Sequence, residues 1–214
     1  MREVEMERGS YVCRACMAAR ESSGATAAQK VAAFENELRE IKNDALRSFV
    51  ARCLEAAPDY FFEMPASTTG RYHPNYALGR GGLVRHVKAA VRVAVDLMAL
   101  ECGIVVFSDD EKDEIVAALI LHDCVKKENP SDKYASARHP IFAARLILKT
   151  QEETGFDYWR ACRIADMVER HMGQWTTDWR GGGVILKEPA TAAERFVHTC
   201  DFIASRKYIE ISWG

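Results

Sequence analysis

No apolar run in the chain is long enough to span a bilayer. The longest, IVAALIL at 115–121, falls far short of the roughly 20 residues that a membrane helix needs. The first ten residues, MREVEMERGS, lack the apolar segment of a secretory signal. An excess of one charge is missing as well. The 29 basic and 31 acidic residues leave a formal charge of -2, so there is no bulk basic footprint for nucleic acid, only room for a local patch. These absences predict a cytoplasmic protein with no membrane partner. An even set of paired cysteines is also absent: the seven present are scattered through helical segments, which argues for reduced thiols. Cys13 and Cys16 form the only CxxC, in YVCRACMAAR, and no second CxxC or nearby His completes a zinc knuckle. That pair reads as two ordinary thiols, the alternative being a redox pair or half of an intermolecular metal site. There is no internal repeat or low-complexity tract, and period-two alternation of any length is scarce, which excludes an extensive sheet.

Helical periodicity is abundant instead. With 214 residues and 48% hydrophobic content the chain fits one domain with a full core. Residues 1–25 read as a mobile, polar extension. KVAAFENELREIKNDALRSFVARCLEAA, within 26–58, predicts one N-terminal helix packing on the core and closed by Pro58. The remainder, 59–214, opens with a long loop at 59–80, DYFFEMPASTTGRYHPNYALGR, of a length that is often functional. Five helices are expected after it, over about 82–101, 108–127, 138–150, 157–172 and 191–206. Capping-box patterns at Ser108/Glu111 and Thr191/Glu194 open the second and the fifth. The expected fold is all-α.

Each of these helices carries a polar residue on its apolar face. Residues three and four apart share a helix face. His86 lies in line with Leu83, Ala90, Val93 and Leu97, and His122 with Ile115, Ala118 and Leu119. His139 continues into Phe142, Ala143 and Leu146; His171 follows Ile164, Ala165 and Val168; Asp201 sits between Val197 and Ala204. Asp123 stands beside His122. One inward histidine is ordinarily a satisfied core residue, and a buried aspartate usually has an ionic partner. Repetition across five helices points to metal. A His/Asp set suits Mn, Fe, Ni, Co or Zn, and six ligands exceed one tetrahedral site, so two divalent transition-metal ions bridged by Asp123 are expected.

The order His86, His122-Asp123, His139, His171, Asp201 resembles the HD-domain superfamily of metal-dependent phosphohydrolases. GGLVRHV, LILHDCVK and FVHTCDFIASRK carry the likeness over roughly 65–206. MPASTTGRYHPNYALGRGGLVRH is similar to the lead-in of YhaM-type exoribonucleases and of HD domains attached to relaxases, which carry two adjacent histidines where this chain has only His73. The resemblance implies an HD-domain helical bundle with an added N-terminal helix. It implies one metal on His86, His122, Asp123 and Asp201, and a second on His139, His171 and Asp123. Lys126 matches the lysine of the binuclear HDxxK variant, near the bound phosphate.

The expected activity is hydrolysis of a phosphoester in a nucleotide, cyclic nucleotide or nucleic-acid end. A metal lowers the pKa of bound water from about 15.7 towards about 7, giving a hydroxide that can attack phosphorus. Asp123 and Lys126 are the catalytic candidates, Lys126 adding positive charge at the phosphoryl oxygens; the alternative for Lys126 is a solvated lysine at a helix C-terminus. His73, Arg138 and Arg206 are candidate substrate contacts, with Arg80 beside them, since arginine binds phosphate in two parallel hydrogen bonds; a surface role is the alternative for each. Trp175 and Trp179 are placed to stack on a base or to pack over helix ends. His198, three residues before Asp201, is turned about 60° from the metal face and is expected beside the ligands rather than among them. Two competing functions share the pattern: an HD-type di-iron oxygenase with the same six ligands, and a non-catalytic nucleotide-binding module. No obligatory protein partner is evident, and a homo-oligomer is compatible.

Overall fold

The computed structural model describes residues 6–7, 10–11, 24–67, 70, 73–100, 106–178 and 181–209, and it is built around residues 115–121, every one of which is buried. A helix apolar on all sides belongs in the middle of a bundle. This one, α6 (Asp109–Leu121), packs against most of the others. The expected Ser108/Glu111 capping box opens it. Around it stand α3 (Asp44–Ala56), α5 (Gly82–Met98), α8 (Tyr158–Glu169) and α9 (Ala192–Ala204), with α7 (His139–Thr154) laid along α8 and α3. Three short helices complete the set among the described residues: α1 (Ala27–Ala32), α2 (Glu35–Glu40) and α4 (Tyr60–Glu63). The fold is all-α, as expected. Among the described residues its only ladder is a pair of two-residue strands, β1 (Met6–Glu7) and β2 (Ser10–Tyr11), with Met6 opposite Tyr11. Apart from residues 24 and 25, the rest of the expected mobile extension, Cys13 and Cys16 included, lies outside the described residues, as does Trp179.

The single N-terminal helix expected over 26–58 is instead three. Phe34 and Ile41, both fully buried, occupy the two breaks and turn their side chains into the core. At the second break the carboxylate of Asp113, on α6, accepts the backbone N–H groups of Lys42 at 2.9 Å and Asn43 at 2.7 Å. Asn43 then caps α3 through the Leu46 N–H. A distant acceptor thus takes the place of helical hydrogen bonds, and no local glycine or proline is needed. The long loop expected at 59–80 also contains structure: α4, and a single 3-10 turn at Asn75–Ala77. Gly82 lies so close to that turn that a Cβ would sit 2.2 Å from the Ala77 carbonyl oxygen.

Helix α6 ends at Leu121 rather than near Lys127. Beyond it the backbone finds partners outside a helix: Lys127 donates its N–H to the Tyr60 hydroxyl at 3.1 Å, and the Lys126 carbonyl accepts the Ser136 N–H at 2.8 Å. A buried carboxylate fastens α6 to α8. Glu114, 3% exposed, receives Arg163 in two parallel hydrogen bonds of 2.7 and 2.8 Å and Arg160 at 2.9 Å. Such two-pronged, charge-assisted pairs fix orientation as well as distance. No helix among the described residues is long and apolar enough to cross a membrane.

Candidate metal centre

The six residues singled out in the sequence converge. His86 projects from the second turn of α5, and Asp201 from α9. His122 ends α6, with Asp123 next to it in the turn that follows. His139 is the first residue of α7, and His171 lies just past the end of α8. The four histidines and Asp123 are all at most 4% exposed. Helix ends matter here, because a side chain at the end of a helix can bond to carbonyls that have no helical partner.

Asp123 divides the cluster in two. Its Oδ2 faces Nε2 of His122 at 3.4 Å and Nε2 of His86 at 3.8 Å. Its Oδ1 faces Nε2 of His139 at 3.2 Å and Nε2 of His171 at 3.6 Å. Asp201 Oδ1 closes the first half, 2.9 Å from His86 Nε2 and 3.5 Å from His122 Nε2. Three overlapping sets of donor atoms, each within 4.8 Å of one another, could hold a metal ion: His86/His122/Asp123, His122/His171/Asp201 and Asp123/His139/His171.

The ring orientations fit that use. His122, His139 and His171 each give Nδ1–H to the backbone carbonyl three residues earlier: Leu119 at 2.7 Å, Ser136 at 2.9 Å and Val168 at 2.7 Å. A histidine held in this way presents its Nε2 lone pair, the arrangement common to metal ligands. The Nε2 of His122 and the Oδ1 of Asp123 are buried with no well-aligned hydrogen bond among the described residues. Buried polar atoms are ordinarily satisfied, and a cation satisfies acceptors of this kind.

The electrostatics follow from burial and the two carboxylates. For Asp123, burial alone would raise the carboxyl, but the Lys126 ammonium and His122 together hold it well below the usual carboxylate range. Hydrogen bonds and charge from His122 and His86 likewise outweigh burial at Asp201. Burial works against a charged His122, yet Asp123 and Asp201 overcome it and raise the imidazole to about 10. His171 is pushed down to about 3 by burial and by the neighbouring histidines. Burial and Lys126 lower His139 too.

Other residues named from the sequence fall into two groups. Lys126 joins the cluster, with Nζ 2.6 Å from Asp123 Oδ1 and 3.4 Å from His139 Nε2. His73 joins it from the loop, its ring centroid 4.9 Å from that of His86 and edge-on to it; burial, then the nearby His86 and Lys126 charges, lower it to about 3. The arginines are placed elsewhere. Arg80 pairs with Glu63 at 2.8 Å, Arg206 lies over the Phe202 ring at 4.1 Å, and Arg138 is exposed at the N-cap of α7. Trp175 stacks on Phe202 at 5.7 Å, beside Asp201 in the chain.

His198 stands beside the candidate ligands, as its spacing predicts: its Nδ1–H donates to the His171 carbonyl at 2.7 Å. Gly173 escaped the sequence reading. It has φ +62°, and a Cβ there would lie 2.3 Å from the His198 ring. A glycine two residues after a predicted ligand was the available signal. No protein family, curated protein or solved structure compared with the chain matches it.

Proposed function

We propose that the protein is a metal-dependent phosphohydrolase of the HD-domain type, acting on a phosphoester of a nucleotide, cyclic nucleotide or nucleic-acid end. The observation that carries the reading is the convergence, in one buried cluster, of the six residues whose order resembles that superfamily, with Lys126 against the aspartate. In this reading His86, His122, Asp123 and Asp201 hold one divalent transition metal, and His139, His171 and Asp123 hold a second. Bound there, the cations supply a water that ionises near neutral pH and positive charge for phosphoryl oxygens. The protein's own groups do the rest. Asp123 joins the two halves through its two oxygens, and the backbone carbonyls of Leu119, Ser136 and Val168 keep three imidazoles in the metal-binding tautomer. Lys126 offers a mobile positive charge to a phosphoryl group. His73, neutral at pH 7 and half-buried with its ring edge-on to His86, orients substrate or passes a proton from the loop side.

The test combines metal analysis of purified protein with a hydrolysis screen. Wild type should carry about two transition-metal ions per chain, as a two-metal site requires. The Asp123→Ala variant should lose them together with manganese-dependent release of phosphate or nucleoside monophosphate from nucleotides, cyclic nucleotides or short oligonucleotides. Two irons with oxygen uptake and no hydrolysis would establish the di-iron oxygenase in its place. A wild-type chain that takes up no metal after reconstitution would leave a helical binding module.

A further inference from the structure

The second half of the cluster already holds a cation of the protein's own. Asp123 Oδ1, His139 Nε2 and His171 Nε2 are three acceptors turned towards one another, and the two imidazole nitrogens are only 3.1 Å apart. Both rings spend their N–H on carbonyls, so what meets between them is lone pairs. The group that relieves them is Lys126. Its ammonium contacts two of the three acceptors, and its side chain is 13% exposed. The first half, by contrast, has no lysine or arginine in contact with its ligand atoms among the described residues.

We infer that the Lys126 ammonium is the resident occupant of the Asp123/His139/His171 half, and that a second metal ion binds there only by displacing it. This rests on the proposed metal site and adds an order of filling: the His86/His122/Asp201 half loads first, and the second half loads against a built-in competitor. A divalent ion within coordinating distance of these three atoms, about 2.0–2.2 Å, would lie within a few ångströms of the ammonium, where like charges repel strongly in a buried setting.

The displacement requires little of the backbone. Ser136 fixes both sides of the half-site, donating its N–H to the Lys126 carbonyl at 2.8 Å and accepting Nδ1–H of His139 at 2.9 Å. The four-carbon stem of Lys126 can therefore swing its head outward while its own carbonyl and the His139 ring stay in place. Lysine suits this role, since its point charge sits on a flexible stem and is not locked in a planar fork.

Metal-stripped wild type, Lys126→Met and Lys126→Arg are titrated with Mn²⁺ by calorimetry, with bound metal counted by mass spectrometry. In wild type the second equivalent should bind at least about tenfold more weakly than the first, because it meets a charge within a few ångströms. In Lys126→Met the second equivalent should tighten at least about tenfold and by clearly more than the first, whose ligand Asp123 also loses the ammonium, and Lys126→Arg should keep the weak second step. In parallel, Lys126 of the wild type is pulse-acetylated at zero, one and two equivalents. Its labelling should stay low through the first and rise at the second. A second step that is the same in wild type and Lys126→Met overturns the inference and leaves the two-metal reading standing, as does labelling that does not change with metal. Wild type that binds no Mn²⁺ overturns both. Should Lys126→Met fail to fold by circular dichroism, the labelling of wild type decides alone.

Discussion

His139 and His171 turn their Nε2 atoms towards each other at 3.1 Å while each gives its Nδ1–H to a backbone carbonyl. Two lone pairs facing across a buried space are unfavourable unless a cation lies between or beside them. A metal ion bound only by the folded state stabilises it by mass action. At about 100 times its dissociation constant, Mn²⁺ should add about 2.7 kcal/mol, or about 5–10 °C in Tm for a chain of this length. His171→Ala should remove the share of that gain that the second ion supplies. Scanning calorimetry with EDTA against Mn²⁺ checks it; identical Tm values in the two would sink the idea.

The metal-free protein should be most stable near pH 6.5. His122 is raised to about 10 by Asp123 and Asp201 against the effect of burial. Between about 6.5 and 10 the native state therefore keeps a proton that the unfolded chain loses, and stability falls as pH rises. His171, lowered to about 3 by burial, and His139, also lowered, act in the other direction. Below about 6.5 the unfolded chain takes up protons that these rings refuse, so stability falls as pH drops. Asp123 and Asp201, held below the carboxylate range, add a loss at still lower pH. Urea midpoints in EDTA from pH 4 to 8, below the range where the buried thiols Cys53, Cys124 and Cys200 also contribute, test the shape, and His122→Asn should flatten the alkaline limb. An unchanged limb would reject the assignment to His122.

Asp113 is the residue that bends the N-terminal region. Its carboxylate, 5% exposed, accepts two backbone N–H groups, those of Lys42 and Asn43. Hydrogen bonds to a charged acceptor contribute roughly 1.5 kcal/mol each at the low end, so Asp113→Ala should cost about 3 kcal/mol in urea unfolding. It lies nine residues before His122, about 13 Å along the helix, so metal affinity should be unaffected. A loss below half a kcal/mol would mean that the break between α2 and α3 forms without it.

That break also shows where sequence reading reached its limit. The faces of His86 and Asp201 were legible because each sits among Leu, Val and Ala at helical spacing, and both helices keep that spacing through the ligand. The stretch from Ala27 to Ala56 has equally good spacing and no glycine or proline, yet it bends twice. The cause at the second bend is Asp113, some seventy residues away, and no local pattern announces it. The end of α6 was misplaced for the same reason, since Tyr60 and Ser136 capture the backbone after His122. Local periodicity located the candidate ligands; long-range hydrogen bonds decided where the helices stop.

Gly173 and His198 offer a test of how the His171 end of the site is held. His198 donates Nδ1–H to the His171 carbonyl at 2.7 Å, with its ring pressed over Gly173. A Cβ on Gly173 would meet that ring at 2.3 Å and would also sit at φ +62°. Gly173→Ala therefore carries two separable costs. Left-handed backbone in a residue with a side chain costs about 1–2 kcal/mol, and the collision displaces the ring that positions His171. Stability should fall by about 2–5 kcal/mol if both act, the collision counting as overpacking. Mn²⁺ affinity should fall with it, because His171 loses its positioning. In a His198→Ala background the collision is gone, so Gly173→Ala should cost only the backbone part, about 1–2 kcal/mol, with no further loss of metal affinity. Full additivity of the two substitutions, in urea unfolding and in Mn²⁺ binding alike, would show that His198 does not act on His171 through this contact.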